Sequence, residues 1–167
     1  MDAENAKGDQ SKRLRVREAT TDDLDPLTCL INAAFVVEHV VFDGDRVDIN
    51  EMRTYMATGT FLLAESVDGI AGCVYVEVRG ERAYLGLLSV QPSQQGLGLG
   101  RQLVRVAEDF ARAQDCQVMD LRVISARSEL LPFYERLGYQ FLRTEPFPAN
   151  LPAKMPSHFI HLFKPLV

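Results

Sequence analysis

Glycine recurs at every second position through Gln95-Gly96-Leu97-Gly98-Leu99-Gly100. An apolar run over residues 84–90 leads into this segment through Pro92, and an amphipathic run begins at Leu99. Strand, glycine turn and helix in that order expose a row of backbone N–H groups at a helix start. The first-turn donors lack intrahelical partners, and the helix dipole favours an anion there. Glycine removes the side chains that would keep a ligand at a distance. The residue types and spacing therefore point to a bound phosphate.

Three kinds of phosphate loop can be compared. A nucleoside-triphosphate loop needs Lys-Ser or Lys-Thr after its last glycine, and none follows here. A dinucleotide loop needs G-x-G-x-x-G, but the third glycine comes one residue early and Arg101 takes its place. Asp120, at about the right distance for a ribose contact, opens the next apolar run instead of closing it. The remaining pattern is Gln95-x-x-Gly98-x-Gly100 behind Val90-x-Pro92, with Gly96 also in place. It resembles the acyl-coenzyme A pyrophosphate loop of the GNAT superfamily of N-acetyltransferases. Residues 130–139, Leu-Leu-Pro-Phe-Tyr-Glu-Arg-Leu-Gly-Tyr, are similar to the F-Y-x-x-x-G-[FY] segment that follows that loop in the superfamily. The resemblance spans residues 13–164.

That resemblance implies acetyl-CoA as co-substrate; no metal is expected, on the residue spacings given below. It assigns the pyrophosphate to the turn formed by Gln95, Gly96, Leu97 and Gly98, continuing through Leu99, Gly100 and Arg101. The pantetheine arm is expected between Leu88, Ser89 and Val90 on one strand and Ser125 on the next, with Phe133 and Tyr134 beside it. Arg105 and Arg136 could add charge near the phosphates.

Acyl transfer from a thioester to an amine makes three demands. The amine must be neutral, the acyl oxygen needs donors as it gains charge, and the thiolate leaves more readily if protonated. Deprotonating a lysine-like amine at pH 7 costs about 4.6 kcal/mol. Tyr134 is the candidate proton donor to sulfur, because a phenol keeps its proton at neutral pH. The candidate oxyanion donor is the backbone N–H of Leu88, fixed in place before reaction. No carboxylate lies on the strand Tyr-Leu-Gly-Leu-Leu-Ser-Val. The candidate base is Glu77, which shares a strand face with Tyr75 by period-two alternation. Glu65, Glu38, His39 and a water chain are the other options. His158 and His161 lie three apart on an expected strand, so they face opposite ways and cannot clamp one ion.

These residues need a scaffold, and the hydrophobic pattern supplies one. Strands are expected over residues 14–18, 61–66, 70–79, 82–90, 117–124, 139–144 and 158–164. Helices are expected from Thr21 or Asp22 to about Phe35, over 47–56, from Leu99 onward, and from Ser128 to Gly138. On the third helix Leu99, Leu103, Val106, Phe110 and Ala113 form the apolar stripe. Residues 36–46 and 145–156 read as loops. The fold class is α+β: a mixed, mostly antiparallel sheet of about seven strands with helices on both faces. By resemblance, a splayed parallel strand pair binds the cofactor.

The chain has 167 residues, 47% hydrophobic and 25% charged, which suits one soluble domain over 13–167 behind a disordered polar tail, 1–12. No run approaches the ~20 apolar residues of a membrane span. The net charge of −5 disfavours nucleic acid as a partner. Cys29, Cys73 and Cys116 lack disulfide or zinc spacing and are expected to be small buried residues in a cytoplasmic protein. The stretch 38–51 holds Glu38, Asp43, Asp45, Asp48 and Glu51 against Arg46. That balance would attract a cationic acceptor such as a polyamine, a lysine side chain or an aminoglycoside. The acceptor is thus a small-molecule or peptide amine, and a homodimer is compatible with the sequence. The alternative function is a non-catalytic acyl-CoA-binding or regulatory module.

Overall fold

The computed structural model describes residues 14–167, so the expected tail over 1–12 lies outside the described residues. The strands are β1 (Arg15–Glu18), β2 (Thr60–Ser66), β3 (Gly69–Arg79), β4 (Arg82–Val90), β5 (Val118–Ile124), β6 (Gln140–Pro146) and β7 (His158–Pro165). The helices are α1 (Leu24–Ala34), α2 (Ile49–Thr58), α3 (Leu99–Ala113) and α4 (Leu130–Arg136). One seven-stranded sheet runs β1-β2-β3-β4-β5-β7-β6. Every neighbouring pair is antiparallel except β4 and β5, which are parallel. The expected α+β architecture is the one found.

Both faces of the sheet centre are covered, which explains why β2 and β3 read as nearly continuous apolar runs. Phe61, Leu63, Cys73 and Tyr75 point to one face, where they pack with Leu27, Ile31 and Met52 of α1 and α2. Leu62, Ala64, Val74 and Val76 point to the other, under Leu103, Val104 and Ala107 of α3.

That alternation breaks in β4. Leu85 packs on the α3 face, whereas Gly86 pairs with Tyr75 and Leu87 packs among the α1 and α2 residues. Leu88 and Val90 then return to the α3 side. Two successive residues on one face mark a β-bulge. The register agrees: Gly86 pairs with Tyr75 and Ser89 with Cys73, so β4 carries one extra residue. Leu87 absorbs the distortion with φ of +50°.

Residues 35–40 correct the expectation of a loop over 36–46: Phe35–Val40 is a 3-10 helix. Its valines Val36, Val37 and Val40 are exposed, so no buried stripe announced it. Elsewhere, Asp48 caps α2 by accepting from Glu51 N at 2.8 Å, and the Glu51 carboxylate accepts from Asp48 N at 2.8 Å. Gly138 closes α4 at φ +95°. Among the described residues, no helix is long and apolar enough to cross a membrane.

Candidate active site

Strands β4 and β5 pair only from Arg82 to Tyr84, against Val118 to Asp120. Beyond that point β5 stays with β7, and β4 stays with β3. A gap opens between them, and the β4 bulge lies at its edge. Leu87 and Leu88 have no strand partner on either side. The Leu87 carbonyl accepts from Ser89 Oγ, two residues along β4, at 2.9 Å and from Cys73 Sγ of β3 at 3.9 Å. The described chain contains no cis peptide. In a trans peptide the N–H points opposite to the carbonyl. Leu88 N–H therefore points away from the Ser89 and Cys73 groups that hold the carbonyl.

A cavity of about 520 Å³ passes through this gap. Phe35, Glu38 and His39 line it from the α1 side of the sheet, and Leu130 and Tyr134 line it from α4. Leu88 is also part of its wall. Tyr134 is buried, with its ring edge-on to Phe133 at 4.9 Å and to Tyr139 at 5.6 Å. Its hydroxyl has no hydrogen-bond partner among the described residues. Burial pushes the phenol well above its ordinary pKa, with Arg127 opposing the shift. The phenol is a proton holder at any physiological pH.

Four carboxyl groups line this cavity, Glu38, Asp43, Asp45 and Glu51, and of these Glu38 is the buried one. It is 9% exposed, and burial raises its pKa above the ordinary value, against the pull of Arg127. Arg127 Nη1 lies 3.4 Å from Glu38 Oε1 and its Nε donates to Glu129 at 2.8 Å. Sequence reasoning did not single out Arg127, because an arginine between two serines and an alanine carries no pattern. Glu77 is elsewhere: it lines an adjoining recess and is bonded to Arg79.

The glycine turn leaves a row of backbone donors open. Gly96 and Gly98 adopt φ of +81° and +83°, a region open to glycine at little cost. Gln95 Nε2 donates to the Val90 carbonyl at 3.2 Å and braces the turn. The first helical bond of α3 runs from Gln102 N to Gly98 O at 3.2 Å. The N–H groups from Gly96 through Arg101 have no acceptor among the described residues, which is the donor row a pyrophosphate requires. The side chain of Leu99 is buried and that of Leu97 exposed, so both are available to a ligand chiefly through their backbone. Arg101 and Arg105 are exposed, with no ion-pair partner among the described residues. Val90 and Phe133 converge beside Gly100, each within ordinary contact of where a Cβ would stand.

Two expected cofactor contacts have their side chains engaged. Ser89 is turned into the core by its bond to Leu87. Ser125 Oγ meets Ser157 Oγ at 3.0 Å and accepts from His158 N at 3.1 Å, pinning the end of β5 to the start of β7. The acidic stretch is also largely engaged: Asp48 and Glu51 cap α2, Asp43 pairs with Lys154 at 2.9 Å, and Glu38 faces Arg127. Cys29 is exposed, contrary to the expectation for all three cysteines; Cys73 and Cys116 are buried. His161 faces the adjoining recess and bonds Glu145 at 2.8 Å. Among the described residues no His, Cys, Asp and Glu are grouped as a metal site.

Residues 31–152 match the family described as the acetyltransferase (GNAT) domain. The chain belongs to the GNAT family. It is 28% identical over 158 residues to a mycothiol acetyltransferase of Propionibacterium freudenreichii, covering 89% of this chain and 49% of that one. It is 29% identical over 99 residues to a streptothricin acetyltransferase of Streptomyces lavendulae, covering 59% and 50%. The chain thus spans about half the length of the curated relatives it matches. Among solved structures, a Salmonella typhimurium protein with its cofactor acetyl-CoA shares the fold at TM-score 0.71 and 20% identity, covering 92% and 94% of the two chains. The bulged strand, the gap and the glycine turn described above all lie within the matched residues.

Proposed function

We propose that this protein is an N-acetyltransferase that moves an acetyl group from acetyl-CoA to an amine within a ternary complex. One observation carries the reading: an unpaired backbone N–H, that of Leu88, and an unpartnered phenol, that of Tyr134, meet at one cavity beside a free phosphate cradle. The two curated relatives described above are named as acetyltransferases, which supports the reaction class.

Acetyl-CoA, when bound, supplies the acetyl group as a thioester. Backbone N–H groups from Gly96 to Arg101 hold its pyrophosphate, and the β4–β5 gap admits its arm. The amine nitrogen forms a bond to the acyl carbon as the carbon–sulfur bond breaks. Leu88 N–H donates to the acyl oxygen as that oxygen gains negative charge. Tyr134 holds its proton toward the departing sulfur. The amine loses one proton, and Glu38, the buried one of the four carboxylates on the cavity wall, can take it. Glu77 is a weaker base here, because its carboxylate is occupied by Arg79. Free cysteines support a cytoplasmic setting.

The test is acetyl transfer itself. Purified protein, acetyl-CoA and a mixed amine panel are incubated, and mass spectrometry looks for an amine gaining an acetyl group. An acetylated product supports the enzyme. Bound acetyl-CoA with no product from any amine would favour a cofactor-binding module instead.

A further inference from the structure

The cavity continues into a second recess of about 640 Å³ on the same face of the sheet. Arg46, Tyr84, Gly86, Leu87 and Arg122 line both, so they form the passage between them. Register fixes the recess floor. Glu77, Tyr84 and Asp120 stand in one row across β3, β4 and β5, and Arg122, His161 and Arg143 in another across β5, β7 and β6. Five arginines line the recess against two carboxylates, although the whole chain carries −5. The positive balance is therefore local.

Three of those arginines are already paired. Arg79 bonds Glu77, Arg82 bonds Asp120 at 2.6 Å, and Arg143 bonds Glu145 at 3.1 Å. Arg46 and Arg122 have no ion-pair partner among the described residues. Each is placed by an aromatic ring instead. Arg122 lies over Phe159, 4.0 Å from the ring centroid, and Arg46 over Phe35 at 5.5 Å. Stacking uses the face of a guanidinium and leaves the N–H donors at its edge free. Two positioned, unspent forks at the passage to the reacting groups suit a carboxylate bound bidentately. Asp45 is the acid on the cavity wall without a partner among the described residues, and it suits the amino end of a ligand.

We infer that the acceptor is a small amine carrying its own oxyanion, a carboxylate or phosphonate held by Arg46 and Arg122. This rests on the transferase reading above and reverses the cationic acceptor expected from the sequence. The acids that suggested a cation are mostly engaged as caps and ion pairs, whereas these two arginines are not.

The test compares matched acceptors with acetyl-CoA saturating. L-Methionine, L-phenylalanine and L-glutamate are each assayed beside the corresponding α-carboxamide and 1-aminophosphonate, with spermidine as an acceptor lacking any acid. The acid, or the aminophosphonate, should exceed the carboxamide in kcat/KM by about tenfold or more. In Arg46→Ala and Arg122→Ala that ratio should fall toward one, through KM for the acid. Equal use of acid and carboxamide, or transfer to spermidine in preference to every acid, would overturn the inference and leave the transferase reading standing. No transfer to any amine, with acetyl-CoA bound, would remove both.

Discussion

Ser89 Oγ donates to the carbonyl oxygen of Leu87 at 2.9 Å, two residues back along the same strand. The bond is fully buried and spans the β-bulge. It fixes the plane of the Leu87–Leu88 peptide, whose other end is the N–H proposed above as the oxyanion donor. A side chain expected to touch the cofactor thus acts on the opposite side of the strand, through the backbone.

Ser89→Ala should therefore lower kcat by about tenfold, less than the loss of an oxyanion donor itself, which costs 10²–10³. Cys73 Sγ still restrains the carbonyl, so the effect stays partial. KM for acetyl-CoA should stay within about twofold, because the glycine turn is untouched. Steady-state kinetics with acetyl-CoA varied will separate the two. A change confined to KM would make Ser89 a binding residue.

Tyr134→Phe removes one oxygen that has no hydrogen-bond partner among the described residues and keeps the ring between Phe133 and Tyr139. Stability should change by less than about 1 kcal/mol. Turnover should fall by about 10²-fold or more. Burial raises the wild-type phenol above its ordinary value, so its acid form persists further into alkali. The kcat profile of the wild type should then show no alkaline fall from this group below about pH 10. A wild-type-like kcat in Tyr134→Phe would remove Tyr134 from the mechanism.

Gly98 and Gly100 sit two residues apart but differ in backbone. Gly98 has φ of +83°, with nothing within 4 Å of a Cβ. Gly100 is helical, with Phe133 and Val90 in ordinary contact range. Gly98→Ala should cost about 1–2 kcal/mol from the left-handed backbone alone. Gly100→Ala should be neutral or stabilising by up to about 1 kcal/mol, since alanine favours helix. Thermal unfolding of the two variants without ligand checks this contrast. Equal losses would mean that the turn relaxes around Gly98.

Much of this site was legible because local physics determines it. A strand ending at Pro92, a turn dense in glycine and a helix starting at Leu99 need only short-range rules. The third helix was found with its register slightly turned. The buried stripe is Leu99, Leu103, Val104, Ala107 and Ala111, while Val106 and Phe110 flank it and Ala113 is exposed. Both Val106 and Val104 are apolar, and only the sheet beneath decides which is inner. The insertion of β7 between β5 and β6 is a long-range choice that no local pattern reports. The bulge at Leu87 was hidden because two leucines in succession fit an ordinary buried strand. Arg46 and Arg122 became site candidates only once tertiary contacts paired the other charges.

Glu38 gives the final prediction. Its carboxyl is raised above its ordinary value, so the folded protein holds a proton there more readily than the unfolded chain. Between those two pKa values the folded state binds more protons, and stability falls as pH rises through that window. Glu38→Gln abolishes this term. The stability of the variant relative to wild type should therefore shift in favour of the variant as pH rises from the ordinary carboxyl value through the raised folded one. If Glu38 is also the base, the wild-type kcat/KM should decline in acid at a pH above the ordinary carboxylate range, and that limb should vanish in the variant. Chemical denaturation at several pH values measures the first effect and a pH–rate profile the second. A stability shift without the kinetic change would keep Glu38 as a buried partner of Arg127 and assign proton removal to water.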